Sequence, residues 1–311
     1  MSDILKTRVL IAGAGAVDGC TAARLIEKGI DTTLMTRPER FEQIVVHGLR
    51  VTSPFGRFRK PVRGVVSAQL SKSYDLVIFA CRAHLLPDAI QQAADAVGPN
   101  TFVLSLTGGG PNMEHLRRRY PADKSMGGIF EGRVRIDADG IIGHRPPEAR
   151  ILIGERSRGD RVAARIAELL TGRGLDAKTT SELDRWAWAR SIFLGAGVGT
   201  SIMTKRPLTD ALRFHPGQTH FAYMVGEGCA IAAANGVEID KATMWRYRHS
   251  LTLVGEPLMS PPLVSDPGGS SQEAFYLMTQ LIRRPGGGAA SGLRLALSSL
   301  ADEKAGAVID A

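Results

Sequence analysis

Arg8-Val9-Leu10-Ile11-Ala12-Gly13-Ala14-Gly15-Ala16-Val17-Asp18-Gly19-Cys20 decides the fold. A short apolar run enters two spaced glycines. The residues after them, Thr21-Ala22-Ala23-Arg24-Leu25-Ile26-Glu27-Lys28-Gly29, read as a helix. A second strand-like run, Asp31-Thr32-Thr33-Leu34-Met35, follows at the spacing of a β-α-β unit. Gly13 permits the tight turn, and Gly15 lets the backbone come close to a pyrophosphate. The helix N-terminus, at Ala16 and Val17, offers unpaired N–H groups and a partial positive charge to phosphates. One position departs from G-x-G-x-x-G: its third glycine is Asp18, with Gly19 just after it. An aspartate there adds bulk and puts negative charge where phosphates lie. Two readings therefore stay open. Either Gly13, Gly15, Ala16 and Val17 cradle a dinucleotide, which the flanking strands and helix favour, or the turn no longer binds one.

The second strand ends Met35-Thr36-Arg37-Pro38-Glu39-Arg40. An NAD-selective site places an acid here for the ribose 2′-hydroxyl. Arg37 stands in its place, and a guanidinium suits a 2′-phosphate. Arg40 is within reach of the same group. The reading is NADP(H), against the plainer alternative that both arginines are solvated surface charges.

The chain has 311 residues, 44% apolar and 23% charged, the balance of a globular protein long enough for two domains. No apolar stretch approaches bilayer length, and no basic-then-apolar leader opens the sequence, so the expectation is no membrane, no export and a cytoplasmic location. Cys20, Cys81 and Cys229 are far apart and odd in number, which fits a reducing compartment and no metal-spaced set. His84, His215 and His249 form no metal-spaced pair either, so no metal is expected. His84, near the mouth of a strand, could serve as an acid near neutral pH, with a packing or surface role the plainer reading. The net charge of +8 is scattered among acids and lacks an aromatic RNA signature. It suits an enzyme handling anions better than a nucleic-acid binder.

From residue 8 to about 155, strand-like and helix-like runs alternate. Asp75–Ala80 and Thr101–Leu106 are apolar runs of buried parallel-strand type, with an amphipathic stretch from Pro87 to Val97 between them. Gly48 to Phe58 reads as a hairpin turning at Pro54–Gly56. Gly140–His144 and Ala149–Gly154 read as a closing pair of strands. After Arg156 the pattern turns helical: Arg161–Leu170, Leu183–Phe193, Gln218–Asn235, Lys241–Ser250 and Gln272–Arg283. The expectation is an α/β chain: a Rossmann-type doubly wound sheet in residues 1–180, and an all-helical domain for substrate and dimerisation in 181–311.

Several further pieces carry a resemblance. They are Leu106-Thr107-Gly108-Gly109-Gly110, Glu182-Leu183-Asp184-Arg185-Trp186-Ala187-Trp188, Ala211 to Pro216, Gln272-Glu273-Ala274-Phe275, and Leu281 to Arg284. With Gly13–Gly19 and Thr36–Arg40, in this order, the chain resembles the ketopantoate reductase (2-dehydropantoate 2-reductase) family over nearly its whole length. The resemblance implies an N-terminal Rossmann domain, a helical C-terminal domain, an active site between them, and reduction of a 2-keto acid by NADPH. It also implies site positions. The family lysine soon after the fourth strand corresponds to Arg82, and the asparagine near the nicotinamide to Gly108. The family's general-acid lysine corresponds to Arg190, and the substrate asparagine four residues on to Leu194. The substrate serine corresponds to Ser260, in a loose alignment, and the glutamate of the C-terminal helix is kept as Glu273.

A hydride delivered to a ketone leaves an alkoxide that needs a proton or strong stabilisation. Arginine stays protonated, so Arg190 is suited to stabilise an oxyanion and poorly suited to donate a proton. Arg190 and Glu273 read as the catalytic pair, with Glu273 and Ser260 toward substrate and Arg82 and Gly108 toward cofactor. Each also has a bland reading, as a surface arginine, a helix-start charge, an anion clamp or a flexible turn. The first expectation is an NADPH-dependent oxidoreductase acting on a small carbonyl compound bearing a carboxylate; with both lysines and both asparagines replaced, ketopantoate itself is doubtful as the substrate. The alternatives are a non-catalytic NADP-binding sensor, a divergent dehydrogenase with another substrate, and a protein whose nucleotide site Asp18 has closed. The helical domain's amphipathic surfaces suit a homodimer.

Overall fold

The computed structural model describes residues 7–66, 70, 74–107, 111–240, 242–244 and 270–299, with only the backbone for 111 and 270–275. The chain divides into two compact units, Met1–Leu183 and Asp184–Ala311.

In the first unit, β1 (Arg8–Ala12), α1 (Ala16–Glu27), β2 (Asp31–Met35) and α2 (Pro38–His47) follow one another closely. The hairpin β3 (Leu49–Ser53) and β4 (Gly56–Lys60) comes next, then the short β5 (Arg63–Val65). β6 (Leu76–Phe79), α3 (Leu86–Gln92), β7 (Phe102–Ser105) and α4 (Pro111–Arg119) continue the alternation. Two long strands follow, β8 (Ser125–Ile136) and β9 (Ile142–Gly154), then α5 (Arg161–Leu170) and β10 (Leu175–Thr180).

The strands form one sheet in the order β4-β3-β9-β8-β7-β6-β1-β2-β5, with β10 beside β9. From β5 to β8 every pairing is parallel, as the apolar runs lead one to expect. β8–β9 and β3–β4 are antiparallel, so the sheet is mixed rather than wholly doubly wound. Alternation along β1 shows both faces covered: Val9 and Ile11 join the core that includes α1 and α5, and Leu10 and Ala12 join the core that includes α3 and α4. The two runs expected at 140–144 and 149–154 belong to the single strand β9, and β8 was not legible beforehand. β8 hides behind glycine. A Cβ on Gly127 would lie 2.7 Å from Met113 Sδ, and one on Gly132 would lie 2.6 Å from Ala149 Cβ. Close neighbours, rather than chain flexibility, require these glycines.

The second unit is helical among its described residues: α6 (Leu183–Thr204), α7 (Leu208–Ala211), α8 (His215–Ala234), α9 (Ser270–Ile282) and α10 (291–299). α6 runs well past the expected end at Phe193. Trp188, Ile192, Phe193, Met224, Met278 and Leu293 form its core. Small residues let the helices approach. A Cβ on Gly228 would meet Ile192, and one on Gly199 would meet Met224 and Ala296. Glu227 supplies the cap of α10, accepting from the N–H groups of Gly292 and Leu293, each at 2.9 Å. Of the helix expected at 241–250, residues 242–244 are helical and the rest lie outside the described residues.

Candidate nucleotide-binding site

The glycine turn joins β1 to α1 at the C-terminal edge of the parallel strands, where open α/β sheets hold their ligands. Gly13 has φ +152, a conformation that favours glycine, and its N–H bonds back to the Ile11 carbonyl at 3.0 Å. Gly15 is exposed and forms the N-cap of α1. The N–H groups of Ala16 and Val17, in the first helical turn, have no acceptor within the helix.

Asp18 turns its carboxylate back over this loop. Oδ2 accepts from the Gly15 N–H at 3.0 Å, and Oδ1 is buried without a partner. A Cβ on Gly13 would lie 2.3 Å from Asp18 Oδ1, so the aspartate fits because Gly13 has no side chain. The close helix–sheet packing of the third glycine falls to Gly19, where a Cβ would lie 2.2 Å from Ile142 Cδ1. Asp18 is only 4% exposed, and desolvation pushes its pKa up to about 7 despite the Gly15 hydrogen bond. A neutral carboxyl here is compatible with a neighbouring phosphate. An ionised one opposes it.

Arg37 lies two residues beyond Met35, the last residue of β2, and is the N-cap residue of α2. Its side chain is exposed and makes no hydrogen bond or ion pair among the described residues. Arg40 is different. Its Nε donates to the Ala14 carbonyl at 3.2 Å, Nη1 to Gln43 Oε1 at 2.9 Å and Nη2 to the Gly140 carbonyl at 3.0 Å. Burial and the nearby Arg50 hold its pKa below the usual guanidinium value. Arg40 thus ties the glycine loop to the β8–β9 turn. Gly140, at φ +76, makes room for it, since a Cβ there would lie 2.1 Å from Nη1. Sequence alone assigned Arg40 to the 2′-phosphate; these bonds commit the guanidinium to protein acceptors.

Arg82 follows β6 and precedes a short 3-10 turn at Ala83–Leu85, with intermediate exposure. Gly108 and Ser260 lie outside the described residues. The loop holding Gly108 is bounded on one side by Thr107, whose carbonyl accepts from Asn112 Nδ2 at 3.1 Å. Asn112 is buried with Oδ1 unpartnered, a polar anchor at the loop's other end. In the sequence its signal is an Asn directly after Gly-Gly-Gly-Pro. Arg190 is partly buried on α6, and Glu273 is on the helical backbone of α9, both in the second unit. Among the described residues no group of His, Cys, Asp and Glu gathers as metal ligands, and no helix is long and apolar enough to cross a membrane.

The glycine turn and the parallel strands around it form a Rossmann-like unit, followed by a helical one. The family description "Ketopantoate reductase PanE/ApbA" matches residues 9–158. An uncharacterized oxidoreductase, YkpB of Bacillus subtilis (strain 168), is 25% identical over 279 residues, 89% of this chain and 91% of that protein. A 2-dehydropantoate 2-reductase of Pyrococcus horikoshii is 27% identical over 241 residues, 76% of this chain and 77% of the relative. Among solved structures, D-mandelate dehydrogenase with NADH and anilino(oxo)acetate superposes with a TM-score of 0.84 at 18% identity, covering 96% of this chain and 99% of that one. A PanE/ApbA family ketopantoate reductase from Ralstonia eutropha JMP134 gives 0.81 at 22%, covering 96% and 98%. At these identities the structural likeness speaks for the fold. Residues 9–158 thus match the ketopantoate reductase family, and over most of its length the chain is similar to oxidoreductases of that type.

Proposed function

We infer that the chain is a cytoplasmic, NADPH-dependent reductase of a 2-keto acid or a related carbonyl compound bearing a carboxylate. The observation that carries this reading is the exposed Arg37 at the end of β2, beside a glycine turn whose Ala16 and Val17 amides are open. Gly13, Gly15, Ala16 and Val17 cradle the pyrophosphate and Arg37 takes the 2′-phosphate, while Arg40 holds the loop in shape. The first unit is then the NADP domain and the second the substrate domain. The exposed Phe214, Tyr223 and Leu295 of the second unit support a homodimer.

When bound, the nicotinamide supplies the hydride. Arg190 stabilises the alkoxide that forms, as a permanent cation that keeps its proton. Glu273 and Ser260 hold the substrate's polar groups, and Arg82 and Gly108 border the cofactor. The identity of the substrate follows from the test. Titrating tryptophan fluorescence with NADPH and NADH is expected to give NADPH binding about tenfold tighter or more, a difference of about 1.4 kcal/mol. Equal or tighter NADH binding overturns the NADP assignment. Turnover of 2-keto acids, ketopantoate among them, is then measured in the parent and in Glu273→Ala. Turnover lost in the variant supports the reductase, and binding without turnover of any of them favours a sensor.

A second reading rests on Asp18, whose carboxylate already occupies the Gly15 N–H. If that carboxylate has closed the site, the parent binds neither nucleotide and Asp18→Gly restores NADPH binding.

A further inference from the structure

At the far end of α1 lies a basic cavity that the nucleotide reading leaves unused. It has a volume of about 440 Å³ and is lined by residues from α1, the edge strand β4 and the turn before β10. Arg24, Arg57, Arg59, Lys60 and Arg173 line it, against one acid, Glu27. Twelve helical residues span roughly 18 Å, so this end of α1 is well separated from the glycine turn.

Arg24 is the unusual member. It is only 1% exposed, its Nη1 donates to Glu27 Oε2 at 2.7 Å, and its Nε and Nη2 are buried without a partner. His144 is buried too; desolvation first, and the Arg24 charge second, hold its pKa below the usual value. A buried guanidinium with donors unfilled is costly unless an anion or water completes it. Lys28, also on the lining, is committed elsewhere. Its Nζ donates to the carbonyls of Glu168, Leu169 and Thr171, which close the last turn of α5.

We propose that this cavity is a second ligand site, which takes a small phosphate ester. Arg24 is its buried positive anchor, and the exposed Arg57, Arg59 and Arg173 are the forks that clamp the phosphoryl oxygens. The volume falls within the range of about 300–1,000 Å³ common for small-molecule sites and leaves room for an organic group beside the phosphate.

Thermal unfolding with ribose 5-phosphate or inorganic phosphate, at ionic strength matched with chloride, tests it. The comparison is among the parent, Arg57→Ala/Arg173→Ala, Arg59→Glu and Arg37→Ala. Protection is expected in the parent and in Arg37→Ala, with apparent affinity at least about tenfold weaker in both rim variants. A larger effect of the ester than of phosphate identifies an organic ligand, and equal effects identify the phosphoryl group alone. Equal protection in the parent and both rim variants overturns the proposal, as does protection lost only in Arg37→Ala, which would put the anion at the glycine turn.

Discussion

Two helix N-termini in the first unit carry an aspartate, and they treat it in opposite ways. At α5, Asp160 is the N-cap. Its oxygens accept from Val162 N, Ala163 N and Arg156 N, and from Arg156 Nε and Nη2 at 2.6 Å each. The Arg156 hydrogen bonds hold its pKa well below the usual carboxylate range. At α1, Asp18 is equally buried but has the Gly15 N–H and no cation, and desolvation wins. A helix N-terminus stabilises a carboxylate when donors replace the water it loses. The charge of the dipole alone does not compensate for burial. The α5 terminus is closed by its own side chain, whereas the Ala16 and Val17 amides of α1 have no acceptor within the helix.

The largest expected effect is at α5. Asp160→Ala removes a cap and the carboxylate partner of Arg156, and is expected to cost about 3–5 kcal/mol in urea unfolding. A loss below about 1 kcal/mol would remove the contrast between the two termini. Next comes Asp18→Asn, which keeps an oxygen to accept from Gly15 but carries no charge. At pH 8 it is expected to stabilise the fold by roughly 2–4 kcal/mol and to tighten NADPH by about tenfold. Unchanged stability and affinity at pH 8 would mean that Asp18 is not held in its neutral form.

The two aspartates also separate by pH. Asp18 has a raised folded pKa, so its contribution is complete below about pH 4 and is lost as pH rises toward about 7. Asp160 has a depressed one, so its contribution is present above about pH 4 and is lost as pH falls below that. Asp18→Asn should flatten the first limb and Asp160→Ala the second; either variant flattening the other's limb would break the assignment. The smallest effect is Arg37→Ala, expected to weaken NADPH about tenfold, near 1.4 kcal/mol, and to leave NADH unchanged. An equal loss for both would make Arg37 a general anion contact.

Much of the first unit was legible because its signals are local. The run from Arg8 to Met35 holds its strand, turn and helix within one stretch, and β6 and β7 read from continuous apolar residues. β8 and β10 were missed, and the two strand-like runs beyond Gly140 were not seen as one strand. In β8 the residues at Gly127, Gly128 and Gly132 are set by neighbours distant in sequence, such as Met113, Leu152 and Ala149. β10, Leu-Asp-Ala-Lys-Thr-Thr, is a polar run that finds its place only by parallel pairing with β9.

The sequence by itself determined the β-α-β turn and the position of Arg37, since each is a matter of residue type and spacing along the chain. Only the tertiary structure decided what Asp18, Arg40 and Arg24 do. The Asp18 carboxyl is pushed up to a pKa of about 7 by burial, Arg40 is tied to the carbonyls of Ala14 and Gly140, and Arg24 is enclosed beneath a basic cavity. Desolvation and hydrogen bonding depend on which distant segments fold over a side chain, and spacing along the chain does not carry that information.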